Sequence, residues 1–164
     1  MSHVPIHVTK AFLPPEEEYF TWLRKAYGTG VLTNNGPIHR ELEETLRARF
    51  GVPYLRLMSN GTLAIQLAIR ALGVKGKVIT TPFSYVATTS ALLWEGCTPV
   101  FADILPDTCC IDPAAIEALV DADTTAILAT HVYGIPCDVD AIDAIARKHG
   151  LKVIYDAAHA FDVI

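Results

Sequence analysis

Short apolar runs alternate with helical segments along most of the chain. The runs are nearly continuous in apolar residues, which is typical of strands covered on both faces. The predicted strands lie at residues 54–58, 77–80, 99–104, 126–131 and 151–156. The predicted helices between them lie at residues 63–72, 85–94, 113–120 and 139–149. Strands separated by helices form right-handed crossovers, so the pattern predicts an α/β fold with a mostly parallel sheet and helices on both faces.

The segment before the first predicted strand has a different pattern. Pro14 and Pro15, followed by three glutamates, indicate a helix start. A turn signal at residues 33–37 precedes an amphipathic helix at 38–50, with Leu42, Leu46 and Phe50 on one face. We therefore expect an N-terminal helical segment over residues 1–50 and an α/β portion over residues 51–164.

Composition narrows the function classes. The chain has 164 residues, a formal net charge of −5 and scattered basic residues, which argues against binding to nucleic acid or to an anionic membrane surface. The sequence starts without a secretory signal, and no apolar run approaches the roughly 20 residues of a membrane span. The four cysteines lack metal-ligand spacing and are expected to be small hydrophobic residues in a cytoplasmic protein: Cys97, Cys109, Cys110 and Cys137.

Candidate binding residues follow the predicted strands, because ligands of parallel sheets bind beyond the carboxyl ends of the strands. Ser59-Asn60-Gly61-Thr62 leads from the first predicted strand into a helix. Free amides at a helix start and a glycine that permits close approach would suit a phosphate. The alternative is that Ser59 or Asn60 simply caps the helix.

Two further candidates are an acid and an aromatic residue. Asp156 ends an apolar run, and a carboxylate there needs a cation or a donor. A protonated pyridine nitrogen would meet that need; the alternative is a cap on a following helix. Tyr85 could stack on a flat cofactor or pack at a helix start. His131 and Tyr133 are interpreted as structural or substrate-edge residues, without a catalytic role.

The order of these segments resembles the sugar-nucleotide aminotransferases of the DegT/DnrJ/EryC1/StrS family. The matching segments run along essentially the whole chain, at residues 32–37, 59–62, 81–88, 96–101, 131–134 and 156–160. The variants around Trp94 and Tyr155 are most similar to enzymes that aminate C4 of TDP-4-keto-6-deoxyglucose. The resemblance implies that residues 51–164 belong to the large domain of a fold type I enzyme that uses pyridoxal 5'-phosphate (PLP).

The resemblance also implies residue roles and partners. Gly61 and Thr62 would bind the PLP phosphate, and Tyr85 would cover one face of the pyridine ring. Asp156 would pair with the ring nitrogen, and His159 would reach the phenolic oxygen. The expected partners are a nucleotide-sugar substrate, an amino-acid donor such as glutamate, and a second subunit in a homodimer.

One family residue has no counterpart, namely the Schiff-base lysine, so no catalytic residue is assigned. None of the chain's lysines lies in the family's lysine motif: Lys10, Lys25, Lys75, Lys77, Lys148 and Lys152. We therefore expect a chain truncated before that lysine and inactive alone. A PLP-dependent sugar dehydratase of the same family, with histidine in place of lysine, remains an alternative. A non-catalytic PLP-binding or interaction fragment is another.

Overall fold

The computed structural model describes residues 11–163, so that residues 1–10, which include Lys10, and Ile164 lie outside the described part. The chain divides into two compact units, Met1–Leu57 and Met58–Ile164. The helices are α1 Glu16–Thr29, α2 Pro37–Phe50, α3 Gly61–Ala71, α4 Val86–Trp94, α5 Pro113–Leu119 and α6 Val139–His149. The strands are β1 Lys77–Thr80, β2 Thr98–Phe101, β3 Thr124–Thr130 and β4 Lys152–Asp156.

The described part of the first unit contains α1, α2 and the residues that connect and follow them up to Leu57. Helix α1 starts after Pro15 with three glutamates in its first turn, and it ends at Gly30, whose φ of 67° is left-handed. An ion pair between Lys25 and Glu41 joins the two helices. Neither helix buries any side chain completely. The hydrophobic core therefore lies in the second unit.

Residues 54–58 do not form the predicted strand. A strand needs a neighbouring strand for its backbone hydrogen bonds, and the described part of the first unit contains none. Instead, the amide of Leu57 donates to Oε1 of Glu43 at 2.9 Å. This bond is the main reason that the pKa of Glu43 lies below its usual value. A side chain of α2 thus replaces the expected strand partner.

The second unit contains a four-stranded sheet in the order β2-β1-β3-β4, and every described strand pair is parallel. The chain moves outward from β1 to β2, returns past β1 to β3, and continues to β4. Since parallel crossovers are right-handed, this reversal puts the helices on both faces of the sheet. The predicted α/β fold class is confirmed. Strand β2 ends earlier than predicted, because Ile104 forms an isolated antiparallel bridge with Ile111.

Strand β3 lies at the centre of the core. Its alternate side chains enter two hydrophobic clusters, as expected for a strand buried on both faces. Ala126 and Leu128 pack with residues of α3 and α4, whereas Ile127 and Ala129 pack with residues of α5 and α6. All four are completely buried. Within the described residues, no helix is long and apolar enough to cross a bilayer.

We predict that Ile127→Ala lowers the free energy of unfolding of the intact protein by about 2–5 kcal/mol, because it opens a cavity in a closed core. Urea unfolding followed by circular dichroism measures this loss. The matched control is Ile135→Ala, since Ile135 is 39% exposed, and there we expect less than about 1 kcal/mol. Equal losses for the two variants would contradict the central place of β3.

Candidate functional site

A cavity of about 270 Å³ opens at the carboxyl edge of the sheet in the second unit. It lies where polar groups from the start of α3, the start of α4 and the ends of β3 and β4 meet. Strand order reverses beside β1 and β3, which is where open parallel sheets bind ligands. The structure brings together all five residues for which the sequence analysis expects cofactor contacts: Gly61, Thr62, Tyr85, Asp156 and His159.

The start of α3 supplies free backbone donors. Asn60 caps the helix through its side chain, which accepts from the amide of Leu63 at 2.9 Å. The amides of Gly61 and Thr62 have no partner within the described residues, as is usual in a first helical turn. A Cβ built on Gly61 would meet no atom within 4 Å. A helix cap and two open backbone donors therefore occur in the same four residues.

Asp156 presents a half-buried carboxylate at the end of β4. Oδ2 accepts from the hydroxyl of Thr88 at 2.7 Å, and Oδ1 accepts from the amide of Ala158 at 3.1 Å. No helix follows within the described residues, so the carboxylate closes a turn rather than capping a helix. It forms no ion pair with any described basic side chain. Its remaining lone pairs can accept from a ligand.

Tyr85 stands directly before α4, where its backbone is extended. Its side chain lines the cavity and is 71% exposed. The residue is therefore at a helix start, as the alternative interpretation expects, but its ring is not packed into the core. An exposed aromatic face beside a cavity can stack on a flat ligand.

His159 is held against a strained turn. The amide of Tyr133 approaches Nδ1 of His159 at 3.4 Å, and the two rings stack nearly parallel, with centroids 6.2 Å apart. Tyr133 has a φ of 52°, which is unusual for a bulky residue, and the next residue, Gly134, has a φ of 82°. With Nδ1 as the acceptor, the neutral imidazole carries its proton on Nε2.

His131 has a structural role in the strand-end turn. Its Nδ1 accepts from the amide of Cys137 at 3.0 Å, and its ring stacks on Tyr155 with centroids 5.0 Å apart. It is not among the residues that line the cavity. Burial lowers the pKa of His131, while the carboxylate of Asp156 acts in the opposite direction.

Three hydroxyl residues of the site, Ser84, Thr88 and Thr130, are not among the residues predicted from the sequence. All three line the cavity, and Thr88 contacts Asp156 directly. One sequence signal was available: Ser84 and Thr88 are four residues apart at the start of an apolar helix, so that their side chains share one face. Their connection to Asp156, 68 residues away, depends on the tertiary fold.

A second cavity of about 270 Å³ adjoins the first and shares Ser84, Tyr85, Thr130 and His159 with it. Its other lining residues are mainly apolar and aromatic: Pro82, Phe83, Val132 and Tyr133. Phe83 and Tyr133 meet edge to face, with centroids 6.2 Å apart. No lysine or arginine is among the described residues that line either cavity.

The cysteines are part of the protein interior. Cys97, Cys110 and Cys137 are buried, all four cysteines are free thiols, and no cluster of metal ligands occurs in residues 11–163. Burial, assisted by Cys110, raises the pKa of Cys137 to about 12. A thiol with such a high pKa is a poor nucleophile.

A known protein family matches most of the chain. The model of the DegT/DnrJ/EryC1/StrS aminotransferase family matches residues 15–163. The chain belongs to this family. The resemblance inferred from the sequence motifs is thereby confirmed.

Relatives in the family include sugar transaminases. The chain is 49% identical over 163 residues to the dTDP-4-amino-4,6-dideoxy-D-glucose transaminase of Escherichia coli, covering 99% of this chain and 44% of the relative. It is 52% identical to the Shigella dysenteriae protein of the same name, covering 97% of this chain and 43% of the relative. The chain thus spans less than half the length of these curated relatives.

Solved structures with a similar fold include two proteins bound to a sugar product or to a cofactor. DesI in the presence of its TDP-sugar product has a TM-score of 0.85 and 39% identity, covering 89% of this chain and 37% of DesI. NtdA from Bacillus subtilis with bound cofactor PMP has a TM-score of 0.82 and 37% identity, covering 86% of this chain and 33% of NtdA.

The burial of His131 predicts a pH dependence of stability in this family member. The pKa of His131 is lower in the folded chain than its usual 6.5. The contribution of the neutral ring to stability is therefore present above pH 6.5 and is lost as the pH falls below it. Urea unfolding of the intact protein should show that the free energy of unfolding decreases as the pH falls below 6.5.

The variant His131→Asn isolates this contribution, because its side-chain oxygen can still accept from the amide of Cys137 but does not titrate. We expect the variant to lose that part of the decrease. A decrease of equal size in the wild type and the variant would contradict the assignment to His131.

Proposed function

We propose that this chain is the cofactor-binding part of a PLP-dependent aminotransferase that acts on a nucleotide-linked keto-sugar. One observation carries the proposal: a helix start with open amides and a carboxylate without a cationic partner line the same cavity. A phosphate and a protonated ring nitrogen on one small molecule would match both groups. Membership of the aminotransferase family supports the same cofactor.

The start of α3 suits the phosphate of PLP. The amides of Gly61 and Thr62 and the hydroxyl of Thr62 would donate to it, and the positive end of the helix dipole favours its charge. The open space in front of Gly61 fits this role, because a Cβ there would meet no protein atom within 4 Å. Any larger residue at position 61 would take space that the phosphate needs.

Three other side chains would contact the ring. The carboxylate of Asp156 would accept from the protonated ring nitrogen and keep the proton at that atom. The ring of Tyr85 would cover one face, and the exposed side of that ring is available for stacking. His159 would donate from Nε2 to the phenolic oxygen, since its Nδ1 accepts from Tyr133. When bound, PLP supplies an electron sink for amino-group transfer.

The adjoining cavity suits the sugar part of the substrate. Its aromatic wall, formed by Phe83, Tyr85 and Tyr133, can pack against the C–H face of a deoxysugar. A diphosphate would need basic groups, and no lysine or arginine is among the described residues that line this cavity. We therefore propose that the nucleotide is bound by other parts of the intact protein, which acts as a homodimer.

The names of the relatives favour a particular sugar. Two relatives named dTDP-4-amino-4,6-dideoxy-D-glucose transaminase have a sequence identity of 49% and 52% to this chain over the matched region. We propose that the intact protein aminates C4 of TDP-4-keto-6-deoxyglucose with glutamate as the donor. The test is to incubate the intact protein with these two substrates and to detect TDP-4-amino-4,6-dideoxyglucose by mass spectrometry. Absence of this product with every amino donor tried would contradict it.

We predict that Asp156→Asn reduces turnover of the intact protein by about a hundredfold or more, because a neutral amide cannot hold the proton at the ring nitrogen. PLP affinity should change much less, since the amides of Gly61 and Thr62 are unaffected. Steady-state kinetics and PLP titration by absorbance measure the two effects. The matched control is Asp140→Asn, at an exposed position on α6. Comparable turnover in Asp156→Asn and the control would rule out the assigned role.

We also predict that borohydride links PLP covalently to a lysine outside residues 1–164 in the intact protein. Two of the described lysines are held in ion pairs away from the cavity: Lys77 pairs with Asp121, and Lys148 pairs with Glu117. Peptide mapping by mass spectrometry identifies the labelled residue. Stoichiometric labelling of Lys148 or Lys152 would overturn this account of the cofactor site.

A further inference from the structure

A chain of three hydroxyl groups leads to the carboxylate of Asp156. Thr130 Oγ1 donates to Ser84 Oγ at 3.1 Å, and Ser84 Oγ lies 2.7 Å from Thr88 Oγ1. Thr88 Oγ1 then donates to Oδ2 of Asp156 at 2.7 Å. The four side chains come from four places in the second unit: the end of β3, the loop after β1, helix α4 and the end of β4.

The chain of hydrogen bonds has a single direction. A carboxylate can only accept, so Thr88 must use its one proton for Asp156. Thr88 can therefore bond to Ser84 only as an acceptor, which commits the proton of Ser84 to Thr88. Ser84 in turn accepts from Thr130. Every hydroxyl proton is thus oriented toward Asp156, and none of the three groups is free to rotate without losing a bond.

Burial makes this arrangement costly to break. Thr88 is 0% exposed and Thr130 is 2% exposed, so neither hydroxyl can exchange its partner for bulk water. Thr80, the last residue of β1, differs from Thr88 in this respect. It is also 0% exposed, but its hydroxyl has no partner in the described structure. The hydrogen-bonded chain at Thr88 is therefore specific to the residues around Asp156.

We propose that Thr88 is a positioning residue that holds the Asp156 carboxylate toward the ring nitrogen of PLP, and that Ser84 and Thr130 orient Thr88 for this task. The proposal rests on the proposed function, because it assumes PLP in the first cavity. Thr88 acts only through Asp156. Its loss should therefore affect the proton on the ring nitrogen more than the binding of the phosphate.

The test uses the intact protein with PLP labelled with ¹⁵N at the ring nitrogen. In Thr88→Val the side-chain shape is kept, but the donor to Asp156 is lost. We expect the ¹⁵N chemical shift to move from the pyridinium value toward the unprotonated pyridine value. Turnover should fall about ten- to a hundredfold. Losses of this size are typical when a residue that orients a metal-ligating side chain is removed, and Thr88 would orient Asp156 in the same way. The Kd for PLP should stay within about threefold.

Two variants separate positioning from packing. Thr88→Ser keeps the hydroxyl and should restore both the ¹⁵N shift and most of the turnover. Thr80→Val removes an equally buried hydroxyl that has no described partner. It should leave the shift and turnover as in the wild type. If Thr88→Val alters the shift no more than Thr80→Val does, the positioning role is wrong.

The remaining outcomes are also decisive. If Thr88→Val does not fold, Ser84→Ala at a half-buried site replaces it: a partial move of the ¹⁵N shift supports the proposal, and an unchanged shift overturns it. A wild-type protein that binds no PLP would instead contradict the proposed function. Bound PLP with an unprotonated ring nitrogen in the wild type would contradict the role of Asp156 and this inference with it.

Discussion

The parallel pairing of β1 with β3 organises the second unit, because the direction of the chain reverses around this pair. Val78 and Ile79 of β1 face Ala126 and Ile127 of β3, and all four side chains are completely buried. Right-handed crossovers on either side of the pair then put α4 and α6 on opposite faces. The same pairing brings the loop after β1 beside the end of β3, where the cavity opens. Without this pairing, the side chains of Ser84 and Thr130 would not lie within hydrogen-bonding distance.

The groups at this edge of the sheet fall into two sets. In the first set, the polar atom is hydrogen-bonded within the chain, as are Oδ1 of Asn60 and the hydroxyls of Thr88 and Thr130. In the second set, bonding capacity remains open, as with the amides of Gly61 and Thr62. A site with this division is preorganised, since the first set fixes the backbone and the rotamers that present the second. A ligand at this edge would not first have to break internal hydrogen bonds.

Prediction from the sequence succeeded where a local pattern is tied to one structure. The prolines and glutamates at the start of α1 indicate a helix N-terminus, and the apolar run of β3 needs two covered faces. It failed at residues 54–58, where composition resembles a strand. A strand forms only beside another strand that accepts its backbone hydrogen bonds. Here the amide of Leu57 donates to the side chain of Glu43 instead. The pattern of one segment contains no information about such a partner.

The sequence by itself determined the family, the α/β class and the order of the residues at the strand ends, because each depends on motifs and periodicity that are local in the chain. Gly61, Tyr85 and Asp156 could be named for this reason. Only the tertiary structure decided which polar residues meet. Thr88 reaches Asp156 across 68 residues, and Thr130 reaches Ser84 across 46. These bonds exist because parallel pairing aligns the carboxyl ends of distant strands at one edge, and that alignment depends on the register of the sheet.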